Sequence, residues 1–391
     1  MHNLTHITMQ YFTKLHTSRL NFRLIILLIL WGYIPVFSQV YTNKVITKNN
    51  EQVIDSLKTV DYPYSLPIWG KKVSQKGYQL PYSAGVSVNY FWQESSLVIN
   101  NLDVGFNNGT QYNLDQVVRF NNASAAAEAI NIRPDIWLLP FLNVYGILGK
   151  VNTSTAIDAG IWVPDDSNNW SEIYDFGTKA NFNGTTFGLG LTPTIGIGGG
   201  WLALDMNVAW TDLAELDKPA MTFVFGPRIG KSFKLKKPES NITFWAGAFR
   251  VHLKSGTAGS LPLSDFISGG NAQAKVDQGI LKVEEKQTAV DTWWNGLSPL
   301  QQANPVNSTK YATANRALDA AGSFLAAIDG ALSTAESSTV QYSLEKAPQD
   351  AWNFLLGTQY QYNKHFMLRA EYGFLGSRKQ FLTSLQYRFG L

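Results

Sequence analysis

Cysteine is missing from all 391 residues. Its absence excludes disulfide frameworks, thiolate metal sites and thiol nucleophiles, and with them a lipid anchor of the bacterial lipoprotein kind, which is built on the thiol. Charge is scarce as well, at 16% of residues where soluble domains carry about 25%. The formal net charge of +3 sits in the first 38 residues, which hold Lys14, Arg19 and Arg23 and no acidic residue. The remainder carries 29 charges of each sign, so it lacks the electrostatic footprint of a nucleic-acid binder. After residue 38 histidine occurs only at His252 and His365. No metal-ligand cluster is visible, and no cofactor and no catalytic role are expected. Nor does any later stretch reach the 18 or more consecutive apolar residues of a membrane-spanning helix.

Glycine and aromatics are plentiful instead: 32 Gly, 12 Trp, 17 Tyr and 22 Phe, a poor match to an ordinary soluble enzyme. Arg19 and Arg23 precede the apolar run Leu24–Ile34, followed by Val36 and Ser38. This is the order of a secretory signal peptide, expected over 1–38, and the run is too short to span a bilayer as a helix. An exported chain of this composition has another route into a membrane, through strands that alternate apolar-out and polar-in.

That alternation recurs. Trp352, Phe354, Leu356, Thr358, Tyr360 and Tyr362 share one face, and Asn353, Leu355, Gly357, Gln359 and Gln361 the other. Phe366, Leu368, Ala370 and Tyr372 alternate with Met367, Arg369, Glu371 and Gly373, and Phe187, Leu189 and Leu191 with Gly188, Gly190 and Thr192. Leu202, Leu204, Met206, Val208 and Trp210 form a further apolar face. For 241–254 the same logic sends Trp245, Phe249 and Val251 to lipid and Arg250, His252 and Lys254 to the lumen. Aromatics gather at strand ends (Tyr90, Trp92, Trp210, Trp352, Tyr372), as interfacial girdles require. A soluble sandwich would turn its apolar face inward.

The pattern predicts an all-β antiparallel transmembrane barrel over 84–391. Ten strands are expected, near 84–106, 125–138, 141–155, 183–197, 199–212, 219–233, 241–254, 351–363, 365–375 and 378–391, with twelve as the alternative. In 84–106, Val98, Leu102, Val104 and Phe106 keep the parity of Val86, Val88 and Tyr90, which reads as one long strand. Periplasmic turns fall at 139–140, 198, 234–240 and 364; surface connections fall at 107–124, 153–182, 213–218, 255–350 and 376–377. Residues 39–83, with Pro63, Pro67 and Gly70, read as a periplasmic extension without regular structure.

The connection 256–350 is too long for a bare loop. Tyr311, Leu318, Phe324 or Leu325, and Leu332 recur at sevens with Ala314, Ala321 and Ile328 between them. Val276, Ile280, Val283, Val290 and Trp294 repeat at helical spacing. An αα-hairpin inserted in an extracellular loop is expected, its second helix capped by Asn307 or Ser308 after Pro305. Its stripes bury against each other or the barrel rim, or display a binding element for an extracellular partner.

Inward parity brings Arg133, Asp135, Asp205, Arg228, Arg369, Glu371 and Arg388 to one level of the lumen. An internal salt-bridge network is the first reading and a selectivity ring in a narrow channel the second. His252 with Asp212 at the rim would be the centre of a hydrolase, but cationic neighbours disfavour a catalytic imidazole. Gly226 to Ser232 falls one residue short of a phosphate loop and lies on an alternating strand.

The ending Leu385, Tyr387, Phe389, Leu391 resembles the terminal assembly signal of Gram-negative outer-membrane barrel proteins, although that family usually closes on Phe. The stretches 135–146 and 369–373 resemble those of largely uncharacterised barrels of this kind, and the Phe37-Ser38-Gln39 junction resembles Bacteroidetes-type leaders. The resemblance covers about 84–254 and 351–391, not the insert. It implies outer-membrane location, contact with outer-membrane lipid and insertion by the barrel-assembly machinery. The functional expectation is a barrel with a structural or surface-interaction role that passes small solutes at most; a porin-like channel and a rim hydrolase are the alternatives.

Overall fold

The computed structural model describes residues 62–391, apart from 77, 79, 214, 215, 217, 238, 254–256, 267–270, 335 and 336. The signal peptide expected over 1–38 and the first part of the N-terminal extension lie outside the described residues.

Ten antiparallel strands form a closed ring: β1 (Ala84–Phe106), β3 (Val118–Leu139), β4 (Leu142–Pro164), β5 (Trp170–Ile197), β6 (Gly200–Leu213), β7 (Ala220–Lys234), β8 (Asn241–Leu253), β11 (Trp352–Gln361), β12 (Phe366–Phe374) and β13 (Arg378–Phe389). Closure comes from β1 and β13, paired from Ala84↔Phe389 to Ser95↔Arg378. Three further strands, β2 (Gln111–Asn113), β9 (Thr257–Pro262) and β10 (Thr339–Pro348), lie off the ring, β10 on β1 and β9 on β10. No described helix is long and apolar enough to cross a membrane.

The outer wall is apolar and uncovered. Leu189 is 66% exposed, Ile130 61% and Leu385 58%, and their outward neighbours Val88, Leu148, Ile229, Phe354 and Leu368 are exposed as well. A contiguous apolar belt around a whole molecule far exceeds the few hundred Å² that soluble monomers leave open, whereas lipid accepts it, and ring closure leaves no unpaired edge in the belt.

The wall is uneven in height. β12 has 9 residues, about the number needed to cross a bilayer, whereas β4 has 23 and β5 has 28. The long strands rise beyond the belt at the end opposite the short turns. Two expected surface connections are therefore mostly strand: β3 starts at Val118, and β4 and β5 run to Pro164 and from Trp170. Only 165–169 remains of the connection expected at 153–182. The membrane pattern is lost there because the wall's polarity inverts. Above the belt the inner residues are apolar (Ala159, Ile161, Val163, Tyr174, Phe176), all buried.

β1 inverts through a bulge. Its register against β10 slips between Asn100 and Asp103, where Asn101 adopts φ 52°. Val98 faces outward at 43% exposure, while Leu97 and Ile99 below the slip and Leu102, Val104 and Phe106 above it enter one buried core. Equal parity across 84–106 therefore does not mean a common face.

Between β9 and β10 lie α2 (Leu263–Phe266), α3 (Ala272–Asn295), α4 (Pro299–Gln302) and α5 (Pro305–Leu332); a short α1 (Gly70–Ser74) precedes the barrel. The stripes of α3 and α5 (Val276 and Val290; Ala314, Leu318, Ala321, Phe324, Leu325 and Ile328) are buried against the inner face of the tall wall. Trp294 stacks on Tyr311 at 4.4 Å near the hairpin's tip. The cap of α5 is Asn304, whose side chain accepts from the Val306 N–H, not Asn307 or Ser308. Pro305 can occupy the first helical position because its missing N–H would be unpaired there anyway.

At the turn end, the described residues of 62–83 lie against the ring. The Leu66 N–H donates to the Leu391 carbonyl at 3.1 Å and the Ile68 N–H to Leu138 at 2.9 Å. Burial, and secondarily the charge of the neighbouring Tyr64 phenol, pushes the Tyr62 hydroxyl up to about 12.

Phe324 is fully buried between the helices and the wall. Phe324→Ala is expected to weaken docking of the insert by about 3–5 kcal/mol, read as faster proteolysis within 263–332 while the heat-modifiable gel shift of the barrel stays unchanged.

Candidate functional site

The inward side chains of the belt converge on an ion-pair network. Arg228 on β7 is its hub. Its Nη1 donates to Asp205 Oδ2 on β6 at 2.9 Å, and its Nε and Nη2 donate to Glu371 on β12 at 2.9 and 3.3 Å. β8 and β11 separate β7 from β12 in the ring, so these bonds cross part of the lumen. Arg369 Nη2 donates to Glu371 Oε2 at 2.8 Å.

Two aromatic residues complete the coordination of these carboxylates. Tyr145 donates its hydroxyl to Asp205 Oδ1 at 2.7 Å, joined by Thr192 at 2.9 Å. The Trp245 indole N–H donates to Glu371 Oε2 at 2.8 Å. Each ring lies over a glycine directly across the ladder, Tyr145↔Gly190 and Trp245↔Gly357. A Cβ on either glycine would overlap the ring. Arg133 lies over the Tyr145 ring, 3.4 Å from its centroid, and Arg369 lies 5.0 Å from that of Trp245.

Asp135 and Arg388 form a second unit nearer the turn end. Arg388 Nη1 lies 3.0 Å from Asp135 Oδ1, and Asn143 and Gln386 donate to the same carboxylate at 2.7 and 2.8 Å. Gly85 leaves the space across which the pair meets. Arg388 Nε donates to the Tyr82 carbonyl at 3.1 Å, tying this unit to the N-terminal segment. The seven charges expected at one level thus fall into two clusters. Tyr145, Trp245, Thr192, Asn143 and Gln386 were not anticipated as partners; what the two aromatics share is a glycine directly opposite in the neighbouring strand.

The rim residues are placed differently from expectation. Thr243, Trp245 and Phe249 are buried inside the ring, while Arg250 and His252 are exposed on its outer face. The expectation for β8 is inverted, because it let side-chain size choose the lipid face. Here Ala246 and Ala248 face outward, and Trp245 faces inward, where its N–H finds a carboxylate that lipid could not supply. His252 is registered with Phe223, and Phe223 with Val208, four residues short of Asp212, so the two residues of the hydrolase alternative are not brought together. Lys254 lies outside the described residues. Leu385, Tyr387 and Phe389 lie on β13, and Leu391 follows it.

A cavity of about 540 Å³ runs up the lumen from the level of these ion pairs. Its lining runs from Asp135, Asp205 and Glu371 up to Phe182, Leu213, Phe249 and Val251, and includes no helix residue.

An apolar outer belt, a closed hydrogen-bond ring and a polar, ion-paired interior decide the class. This chain is a transmembrane β-barrel. No protein-family model matches it, and no curated protein does. The solved structures to which it is similar are outer-membrane barrels. One is the β domain of the Bordetella autotransporter Brka, at 10% identity over 78% of this chain and 100% of that one, TM-score 0.32. Another is the translocator domain of the autotransporter NalP from Neisseria meningitidis, at 8% identity over 87% and 94%, TM-score 0.29. A third is an outer membrane channel from Pseudomonas putida F1, at 10% identity over 79% and 96%, TM-score 0.24. Scores this low add nothing to what the ladders of this barrel already establish.

Glu371 is 3% exposed and serves both arginines. Glu371→Gln is expected to cost about 3–5 kcal/mol, because it leaves buried cations without their charge partner. The measurement is the temperature of the heat-modifiable gel shift, which should fall.

Proposed function

We propose that the protein resides in the outer membrane of a Gram-negative cell as a closed scaffold that holds α3 and α5 at the cell surface, rather than as a conducting pore. The observation that carries this reading is the burial of the Arg228 network. The side chains of Arg228 and Asp205 are each 12% exposed and that of Glu371 is 3%. In a water-filled channel these groups would keep their hydration. Here each charge is met by a partner, as a dehydrated interior demands.

Orientation follows from the uneven wall. Barrels of this kind put short turns in the periplasm and long connections outside. The connections after β3, β5 and β11 are a few residues long, whereas β8 and β11 are joined through the whole insert. Export by a signal peptide, insertion by the barrel-assembly machinery through Leu385, Tyr387, Phe389 and Leu391, and an extracellular partner for the insert belong to the same proposal. A catalytic role is not part of it.

Planar-bilayer recording of the folded protein tests the closed state. No discrete conductance steps are expected; regular steps from wild-type protein would refute it. Protease added to whole cells should cut the insert and spare residues 62–83.

A further inference from the structure

The cavity that the ion pairs line at one end is chemically divided. Its three carboxylates, Asp135, Asp205 and Glu371, lie toward the turn end, and each is held by an arginine. Toward the insert end the walls are apolar, with Phe182 and Leu213 on one side and Phe249 and Val251 on the other. Two cations enter this apolar half. Arg378, at the start of β13, is 2% exposed and its guanidinium lies 5.6 Å from the Phe249 ring centroid. Its Nε and Nη1 are buried with no hydrogen-bond partner among the described residues. Lys346 on β10 lines the same space. Along β1 the two flank one column, Arg378 opposite Ser95 and Lys346 opposite Ile99.

Buried polar groups are normally paired, and a guanidinium presents five donors in a rigid planar fork. A buried arginine whose Nε and Nη1 have no protein partner in an apolar chamber has donors to offer a planar anion. Asp350, the acidic residue that follows β10, is near enough to act on the Arg378 charge, but its Oδ2 accepts from the Ser377 N–H at 2.7 Å and it makes no hydrogen bond to Arg378 Nε or Nη1. Overall the lining holds seven Lys and Arg side chains against three Asp and Glu, so the chamber favours an anion. Its apolar walls and its volume of about 540 Å³ fall within the usual range for a small organic ligand.

We propose that this chamber binds an amphipathic carboxylate, its apolar body among Phe182, Leu213, Phe249 and Val251 and its anion on Arg378 and Lys346. The planar carboxylate matches the guanidinium fork, and exclusion of water strengthens the pairing. The chamber lining that makes these contacts is the same whichever end of the barrel faces outward.

The test is isothermal titration of the full chain in lipid nanodiscs with 2-naphthoate, a soluble aromatic acid, and with its uncharged isostere 2-naphthamide. Saturable binding of the acid is expected, with the amide at least 10-fold weaker. Arg378→Gln should weaken the acid by 10-fold or more and leave the amide unchanged; Arg378→Lys should restore part of the loss, and Lys346→Gln should give a smaller one. Absence of saturable binding to wild-type protein, or equal affinity for acid and amide, overturns the proposal whether or not any variant folds. Wild-type affinity in an Arg378→Gln protein that keeps its heat-modifiable shift overturns it too. Bilayer conductance is a separate readout, so failure here leaves the closed-scaffold reading untouched.

Discussion

β1 serves two neighbours along one edge. From Ala84 to Ser95 it is laddered to β13, and from Leu97 to Phe106 to β10. Ser96 makes the transfer: its N–H donates to the Ser377 carbonyl at 2.9 Å, and its own carbonyl accepts from the Gln349 N–H at 3.1 Å. β13 starts at Arg378, level with Ser95, so the upper half of β1 would otherwise expose a row of unpaired backbone groups. An open edge of that kind invites pairing with another chain. The insert supplies the missing strand, and in doing so it anchors its helices. Without this transfer the tall wall has no second side, and the helices have nothing to pack on.

The same strands then meet two solvents. Within the belt the outer face is apolar, and the inner face carries Arg228, Asp205 and Glu371. Above it the outer face meets water, and the inner face carries Ile161, Val163, Val104 and Phe106. Lipid and water impose opposite patterns on one continuous strand, and the bulge at Asn101 lets β1 satisfy both. The chamber lies where the two patterns meet, which is why it has ion pairs at one end and aromatic walls at the other.

The spans within lipid were legible from sequence because ten segments repeat one alternation. The periodicity of α3 and α5 was legible for a similar reason. Three features were not. The upper halves of β4 and β5 have apolar residues on the inner face, so a search for apolar-out alternation passes over them. The bulge in β1 changes face without changing parity, and nothing in Asn100-Asn101-Leu102 marks it before φ is known. In β8 Trp245 and Phe249 face inward while Phe244 faces outward, because Trp245 has an N–H to place and Gly357 leaves room for the ring. Of the site, the charged residues could be read from inward parity, but their division into two clusters depends on which strands curve toward each other across the lumen.

Cross-linking tests the partner change directly, and the absence of native cysteine gives a clean background. Val98 and Ala347 are paired in the β1–β10 ladder, and Val88 and Leu385 in the β1–β13 ladder. Val98→Cys with Ala347→Cys, and separately Val88→Cys with Leu385→Cys, are oxidised in isolated outer membranes and resolved on non-reducing gels. Efficient intramolecular disulfide formation in both double variants is the predicted result. A cross-link from the second pair but none from the first would show that β10 does not continue the wall, and would contradict the account of how the insert is held.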